Sequence, residues 1–268
     1  MFKVKLFFFF FLCANLFAKD TLVFAALPMF NKKITYSNFY PMITSLEKKL
    51  NKKILFYYSD NYEDVLKDFK DSKIDLVYLG ALPYVQLTQN YSFAQPLVTF
   101  KNNENLSTYT CSLVKFIKNE KVQKVALTQA LSTCGYLSVN NLLDNKLENY
   151  DYKYVGRHDE VALSVIRGEF DLGGIKTSMI KDYYHLGLEE VSRTTNFPAM
   201  ALVANTETLN QDYINNVKEV LLNIKQEEFS LWGEDVKYGV IEAFDKDYDE
   251  IRAMIKDVKI PTKDKYNE

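Results

Sequence analysis

The feature that most constrains this chain is an alternation of short apolar runs with amphipathic ones, begun once and then begun again. In the first half, "TLVFAALPMF" reads as a strand ended by Pro28, and "FYPMITSLEKKLNKK" as an amphipathic helix with Pro41 near its start. "ILFYYS" is a strand, "NYEDVLKDFKDSK" a helix with Val65, Leu66 and Phe69 on one face, and "IDLVYLG" a buried strand. Such a β-α-β-α-β order implies a largely parallel sheet covered by helices. The order restarts at "KVALT", followed by the strand "YKYVG", the helix "HDEVALSVIRGE" and the strand "FDLGGI". Apolar strands flank this second unit at "TYTCSLVKFI" and "PAMALVAN". The tail from Asn210 to about Tyr248 reads as mainly helical and carries the only tryptophan, Trp232.

The two halves echo one another. "YEDVLKDFKDSKIDLVYLG" and "HDEVALSVIRGEFDLGGIK" align without a gap at an offset of 96 residues, pairing Val65 with Val161, Asp75 with Asp171 and Leu76 with Leu172. The fold class is therefore α/β, with two similarly built lobes and a cleft between them. In open α/β sheets, ligands bind at the carboxyl ends of strands and at helix N-termini. Three loops qualify: "LSTCG", "VGRHDE" with Arg157 and His158, and "YLGALPY" with Tyr78, Gly80 and Tyr84.

"LSTCG" sits between a strand and an apolar-periodic helix. The first N–H groups of a helix have no internal partner, and the helix dipole is positive there. Two hydroxyls and a glycine add donors and close backbone access, which suits an anion. Ser and Thr also cap helices by the same chemistry, so a plain N-cap is the competing reading.

The N-terminus has a separate explanation. "MFKVK" is a short basic region, "LFFFFFLCANLF" an apolar run, and "LFA" precedes Lys19-Asp20, the pattern of a secretory signal cleaved near Ala18. The run is too short to span a membrane, and the bulky residues before Cys13 argue against a lipoprotein signal. A soluble, exported mature chain is expected. Cleavage removes Lys3 and Lys5 from 33 Lys and Arg, leaving 31 against 35 acids, a net charge of about −4. With no basic stripe, nucleic acid is not an expected partner, and an anion must be held by local geometry. Cys111 and Cys134 remain, compatible with one disulfide or two free thiols. Without a Cys/His cluster, and with His158 and His185 the only histidines, neither a metal site nor a cofactor is expected.

The ordered motifs "IDLVYLGALPYV", "YTCSL", "STCGY" and "VGRHDEVALSVIRGEFDLG", after an early strand ending in Pro28, resemble periplasmic substrate-binding proteins of the phosphate/phosphite/phosphonate class of ABC transporters. The resemblance covers roughly Leu22 to Leu209. It implies the type II periplasmic-binding fold, two α/β lobes joined by two crossing strands, and a periplasmic location. By resemblance, residues 19–108 and 205–268 form lobe 1, residues 109–204 form lobe 2, and "TYTCSLV" and the strand near Pro198–Ala204 are the hinges.

The resemblance also implies a ligand set. Ser132 and Thr133 match the hydroxyls that hold the oxyanion, with the backbone of Cys134 and Gly135 beside them. His158 matches the histidine facing the anion, Tyr109 the hinge tyrosine, and Tyr78 and Gly80 the wall of lobe 1. Arg157 replaces a small residue and is either an added cation for the anion or a partner in a surface ion pair. Cys134 and Cys111 replace serines that line the cleft in the family, which makes a Cys111–Cys134 disulfide at the cleft a candidate. "NFPAMAL" lacks the acid with which aminoalkyl-phosphonate binders hold an ammonium, so a simpler oxyanion is favoured.

The expected function is capture of a small phosphate-, phosphite- or phosphonate-like oxyanion by a monomer that delivers it to an ABC permease. The alternative is an exported oxyanion-sensing subunit signalling to a membrane histidine kinase. An enzyme on this fold is a third reading, weakened because no nucleophile–base–acid set is visible.

Overall fold

A computed structural model describes residues 19–118, 122–256 and 258–266; the expected leader, residues 1–18, lies outside them. No helix among the described residues is long and apolar enough to cross a membrane.

In the first lobe, β1 (Thr21–Ala26), β2 (Lys53–Tyr57) and β3 (Leu76–Leu79) run parallel, linked by α1 (Lys32–Leu50) and α2 (Tyr62–Lys70). α3 (Ala81–Thr88) and β4 (Ala94–Phe100) follow. α1 starts at Lys32, seven residues before the expected stretch, because the Asn31 side chain caps it by accepting from Ile34 N. Pro41 thus lies inside the helix. It frees only the carbonyl of Ser37, an exposed residue that water can serve. The buried stripe Thr35, Phe39, Met42, Ile43, Leu46 and Leu50 packs α1 on the sheet.

The second lobe holds β6 (Cys111–Phe116), β7 (Lys124–Thr128), α4 (Tyr136–Leu142), β8 (Asp151–Gly156), α5 (His158–Ile166), β9 (Leu172–Lys176) and β10 (Leu188–Arg193). Its five-stranded sheet has the order β10-β6-β9-β7-β8, with β7 parallel to β8 and β9.

"TYTCSLVKFI" and "PAMALVAN" each read as one strand but each divides in two. The first becomes β5 (Thr108–Tyr109) and β6; the second belongs to β11 (Phe197–Pro198) and β12 (Ala201–Asn205). The short pieces pair antiparallel with each other, Phe197 opposite Tyr109, as a two-stranded link between the lobes, at the expected hinge position. The breaks fall where the chain leaves one sheet for the other. β12 inserts between β3 and β4, so Ala201–Ala204, expected in lobe 2, belong to the six-stranded sheet of lobe 1, order β13-β4-β12-β3-β1-β2.

The tail carries α6 (Gln211–Leu222), α7 (Gln226–Phe229), β13 (Val240–Glu242) and α8 (Asp249–Ile255). β13 pairs with β4, so the tail is less helical than its composition implies. Its last residues leave lobe 1. Tyr152 and Lys265 exchange backbone hydrogen bonds, Tyr154 N donates to Asp264, and Tyr266 packs on Phe170, all on lobe 2. The expected assignment of the whole tail to lobe 1 is corrected accordingly.

Candidate functional site

β7 and α4 are joined by the turn that holds Ser132–Gly135. Ser132 N donates to the carbonyl of Gln129, and Gly135 N to that of Ser132. The N-cap of α4 is Gly135, with no side chain capping the helix. Neither hydroxyl therefore caps this helix, and the plain capping reading of Ser132 and Thr133 falls. Gly135 is required by close approach, since a Cβ there would lie 2.7 Å from the carbonyl oxygen of Gln129.

Ser132, Thr133 and Cys134 are buried and line a small chamber of about 20 Å³ between the lobes. Lobe 1 and the hinge contribute Tyr62, Gly80, Tyr109 and Met200, and lobe 2 adds His158 and Lys176. Such a volume takes about one water-sized group. It adjoins an open chamber of about 430 Å³, and Met29, Tyr109, Lys176 and Met200 line both.

His158 is the first residue of α5, and its Nδ1 accepts from Lys176 N at 3.2 Å. The proton of the neutral ring then sits on Nε2, leaving that N–H as the imidazole's donor. Burial, followed by the charge of Lys176, pushes its pKa down to about 3. His158 is thus a neutral hydrogen-bond donor through the physiological range.

Lys176 ends β9. Its ammonium lies 5.5 Å from the centre of the Tyr109 ring, and burial lowers its pKa. The carboxylate of Asp235, further along the outer chamber, opposes that shift. Lys176 is the cationic residue lining the inner chamber, and no carboxylate lines it. Sequence reasoning missed it, although a lysine at the carboxyl end of a buried strand, "FDLGGIK", is the signal that the strand-end rule names. Tyr62 was also missed; it is the first residue of α2, and its side chain lines the inner chamber beside Ser132.

Thr133 Oγ1 accepts from Leu82 N at 3.0 Å. The N-cap of α3 is Gly80, which has no side chain to offer, so a lobe 2 hydroxyl caps a lobe 1 helix across the cleft. The hydroxyl proton of Thr133 stays available to an acceptor. The Tyr109 hydroxyl lies against Gly80 beside Thr133 Oγ1, and burial raises its phenol to about 12.

The remaining expected residues divide. Gly80 lines the inner chamber, where a Cβ would press on Met200 Sδ at 3.3 Å. Tyr78 lines only the outer chamber; its hydroxyl donates to the carbonyl of Asp235 and its ring packs on Phe39 and Phe100. Gly135 lies behind the chamber and does not line it. Arg157 does not line it either, because its guanidinium pairs with Asp159 and Glu160 of its own helix. Cys111 and Cys134 are bonded, with Cα atoms 5.1 Å apart, tying the start of β6 to the turn that carries Ser132.

The chamber therefore presents one ammonium, one imidazole N–H, hydroxyls and helix N-termini, a set suited to an anion. No group of three or more metal-ligating residues occurs among the described residues.

A family model described as the periplasmic substrate-binding protein of phosphonate ABC transporters matches residues 24–248. Among solved structures, PhnD1 of Prochlorococcus marinus in complex with methylphosphonate superposes with a TM-score of 0.75 at 18% identity, over 88% of this chain and 97% of that one. A binding-protein component of a phosphonate ABC transporter from Pseudomonas aeruginosa gives 0.73 at 12% identity, over 87% and 85%. A Xanthomonas citri protein bound to chloride gives 0.72 at 17% identity, over 88% and 98%. At these identities the superpositions establish a shared periplasmic-binding fold.

Proposed function

The chain belongs to the family of phosphonate-class periplasmic substrate-binding proteins of ABC transporters, and from that premise we propose that it captures a small oxyanion of the phosphonate type in the inner chamber. We further propose that it hands this ligand to an ABC importer. One observation carries the reading: Lys176, His158 Nε2–H and the hydroxyls of Ser132 and Thr133 converge on a buried chamber free of carboxylates. Charge-assisted hydrogen bonds are the strong ones, and a buried anion needs several of them.

The inner chamber takes one oxygen of a headgroup, and the rest of the ligand would run past Met29 and Met200 into the outer chamber. Glu234 and Asp235, from the tail, line that outer space. The reason for disfavouring an aminophosphonate, the lack of an acid after Pro198, therefore falls away: carboxylates stand there from another element.

Titration calorimetry with methylphosphonate, phosphite, phosphate and 2-aminoethylphosphonate tests the proposal. Saturable binding of at least one is expected. Failure of all four at millimolar concentration would remove the oxyanion reading.

A further inference from the structure

The two lobes are fastened to each other at a point outside the inner chamber. Gln129 follows β7 in lobe 2 and sits at the rim of the cleft. Its Oε1 accepts from Tyr62 N at 2.7 Å, and its Nε2 donates to the carbonyl of Asp60 at 2.9 Å. Both partners belong to the lobe 1 loop that opens α2. One side-chain amide thus reads both polarities of a backbone segment in the other lobe, which demands a matched position and orientation.

The backbone of Gln129 is equally placed. Its carbonyl receives Ser132 N, closing the turn that presents Ser132 and Thr133. The N–H that its side chain holds belongs to Tyr62, which lines the inner chamber together with Ser132. Tyr62 N is one of the unpaired first-turn donors of α2, since the Asn61 side chain serves Glu63 N instead. Gln129 satisfies that donor only when the lobes are together.

We infer that Gln129 is the closure latch of this protein: a positioning residue that holds lobe 1 over a bound anion and sets how slowly the anion leaves. The inference rests on the reading of the cleft as an anion site. Opening the lobes breaks both side-chain hydrogen bonds of Gln129 at once and exposes Tyr62 and Ser132 together. A latch absent from the encounter and present in the closed complex acts on dissociation rather than association. Two neutral hydrogen bonds at a half-exposed position account for about a tenfold change in affinity.

The test uses the mature chain with nitroxide labels at K70C and K146C, exposed sites on the two lobes. Interlobe distances are measured with and without methylphosphonate, alongside stopped-flow dissociation. Q129A should broaden the distances toward longer values and speed methylphosphonate dissociation about tenfold, with the association rate unchanged. Q129E, which keeps an acceptor for Tyr62 N but loses the donor to Asp60, should fall between. Q123A, at the other end of β7, serves as a control and should match wild type. Thermal melts within a few degrees of wild type show that Q129A is folded. Wild-type distances and dissociation in Q129A would overturn the latch, as would a wild type that never populates the closed distance. If methylphosphonate fails to bind wild type but Q129A still widens the ligand-free distances, the latch stands and the choice of ligand falls.

Discussion

Asp75 in lobe 1 and Asp171 in lobe 2 stand 96 residues apart and do the same work. Each carboxylate accepts a backbone N–H from the lobe's first parallel strand, Val23 in one case and Lys124 in the other. Each backbone N–H returns the bond to the carbonyl of that same residue. The same offset pairs Tyr62 with His158, each the first residue of its helix, and Gly80 with Lys176, each just at the end of its strand. All four line the inner chamber. There the likeness stops. Lobe 1 brings a phenol and a bare backbone, whereas lobe 2 brings an imidazole N–H and an ammonium. A shared scaffold fixes where side chains meet the cleft, and residue type at those points decides which lobe holds charge. On the proposed function, lobe 2 is the anion receptor and lobe 1 is the cover that completes it.

The largest expected effect falls on lobe 2 alone. C111A/C134A removes a bond closing a 23-residue separation, and should lower unfolding free energy by roughly 3 kcal/mol. Denaturant titration checks this; a loss below about 1 kcal/mol would mean the turn is held without the bond.

The next tests the asymmetry of the two lobes directly. K176M should weaken methylphosphonate binding about 100-fold, as expected for a charge-assisted contact, while its lobe 1 counterpart Y62F should cost only about fivefold. Equal losses in calorimetry would erase the distinction between receptor and cover.

The paired aspartates provide the complementary check. D75N and D171N should each destabilise by about 1–2 kcal/mol, with little change in affinity, because each carboxylate holds a strand rather than a ligand. A selective loss of binding in either would contradict the structural equivalence.

The smallest effect is a slope. His158 stays neutral when folded down to about pH 3 but takes up a proton near 6.5 when unfolded. The unfolded state therefore binds more protons between those values, and stability falls as pH falls through that window. From pH 6.5 to 5.5 the contribution is about 1 kcal/mol, measurable as a slope in denaturant midpoints that H158N should remove.

Much of this was legible in the sequence because period and order are local properties. The restarted strand–helix alternation implied two lobes, and the offset of "KDSKIDLVYLG" against "IRGEFDLGGIK" marked equivalent positions. The breaks at Thr110 and at Ala199–Met200 were not legible, since a strand that changes sheets keeps its apolar character on both sides. β13 escaped for a related reason: three residues at a sheet edge carry too short a pattern. In the site, "STCG" was found because a helix start announces itself. Lys176 and Gln129 were passed over because each is one polar residue after a buried strand, and only the fold reveals what faces it. Arg157 illustrates the reverse error. Its position before a helix suggested an anion contact, but Asp159 and Glu160 lie within reach on the same turn and take the guanidinium.

The most direct measurement is a crystal structure of the mature protein with methylphosphonate. The account predicts a phosphonate oxygen in the inner chamber, the headgroup within hydrogen-bond distance of Lys176 Nζ, His158 Nε2 and Ser132 Oγ, with the methyl group toward Met29 and Met200. An anion bound instead at Arg157, or one that leaves Lys176 uncontacted, would contradict it.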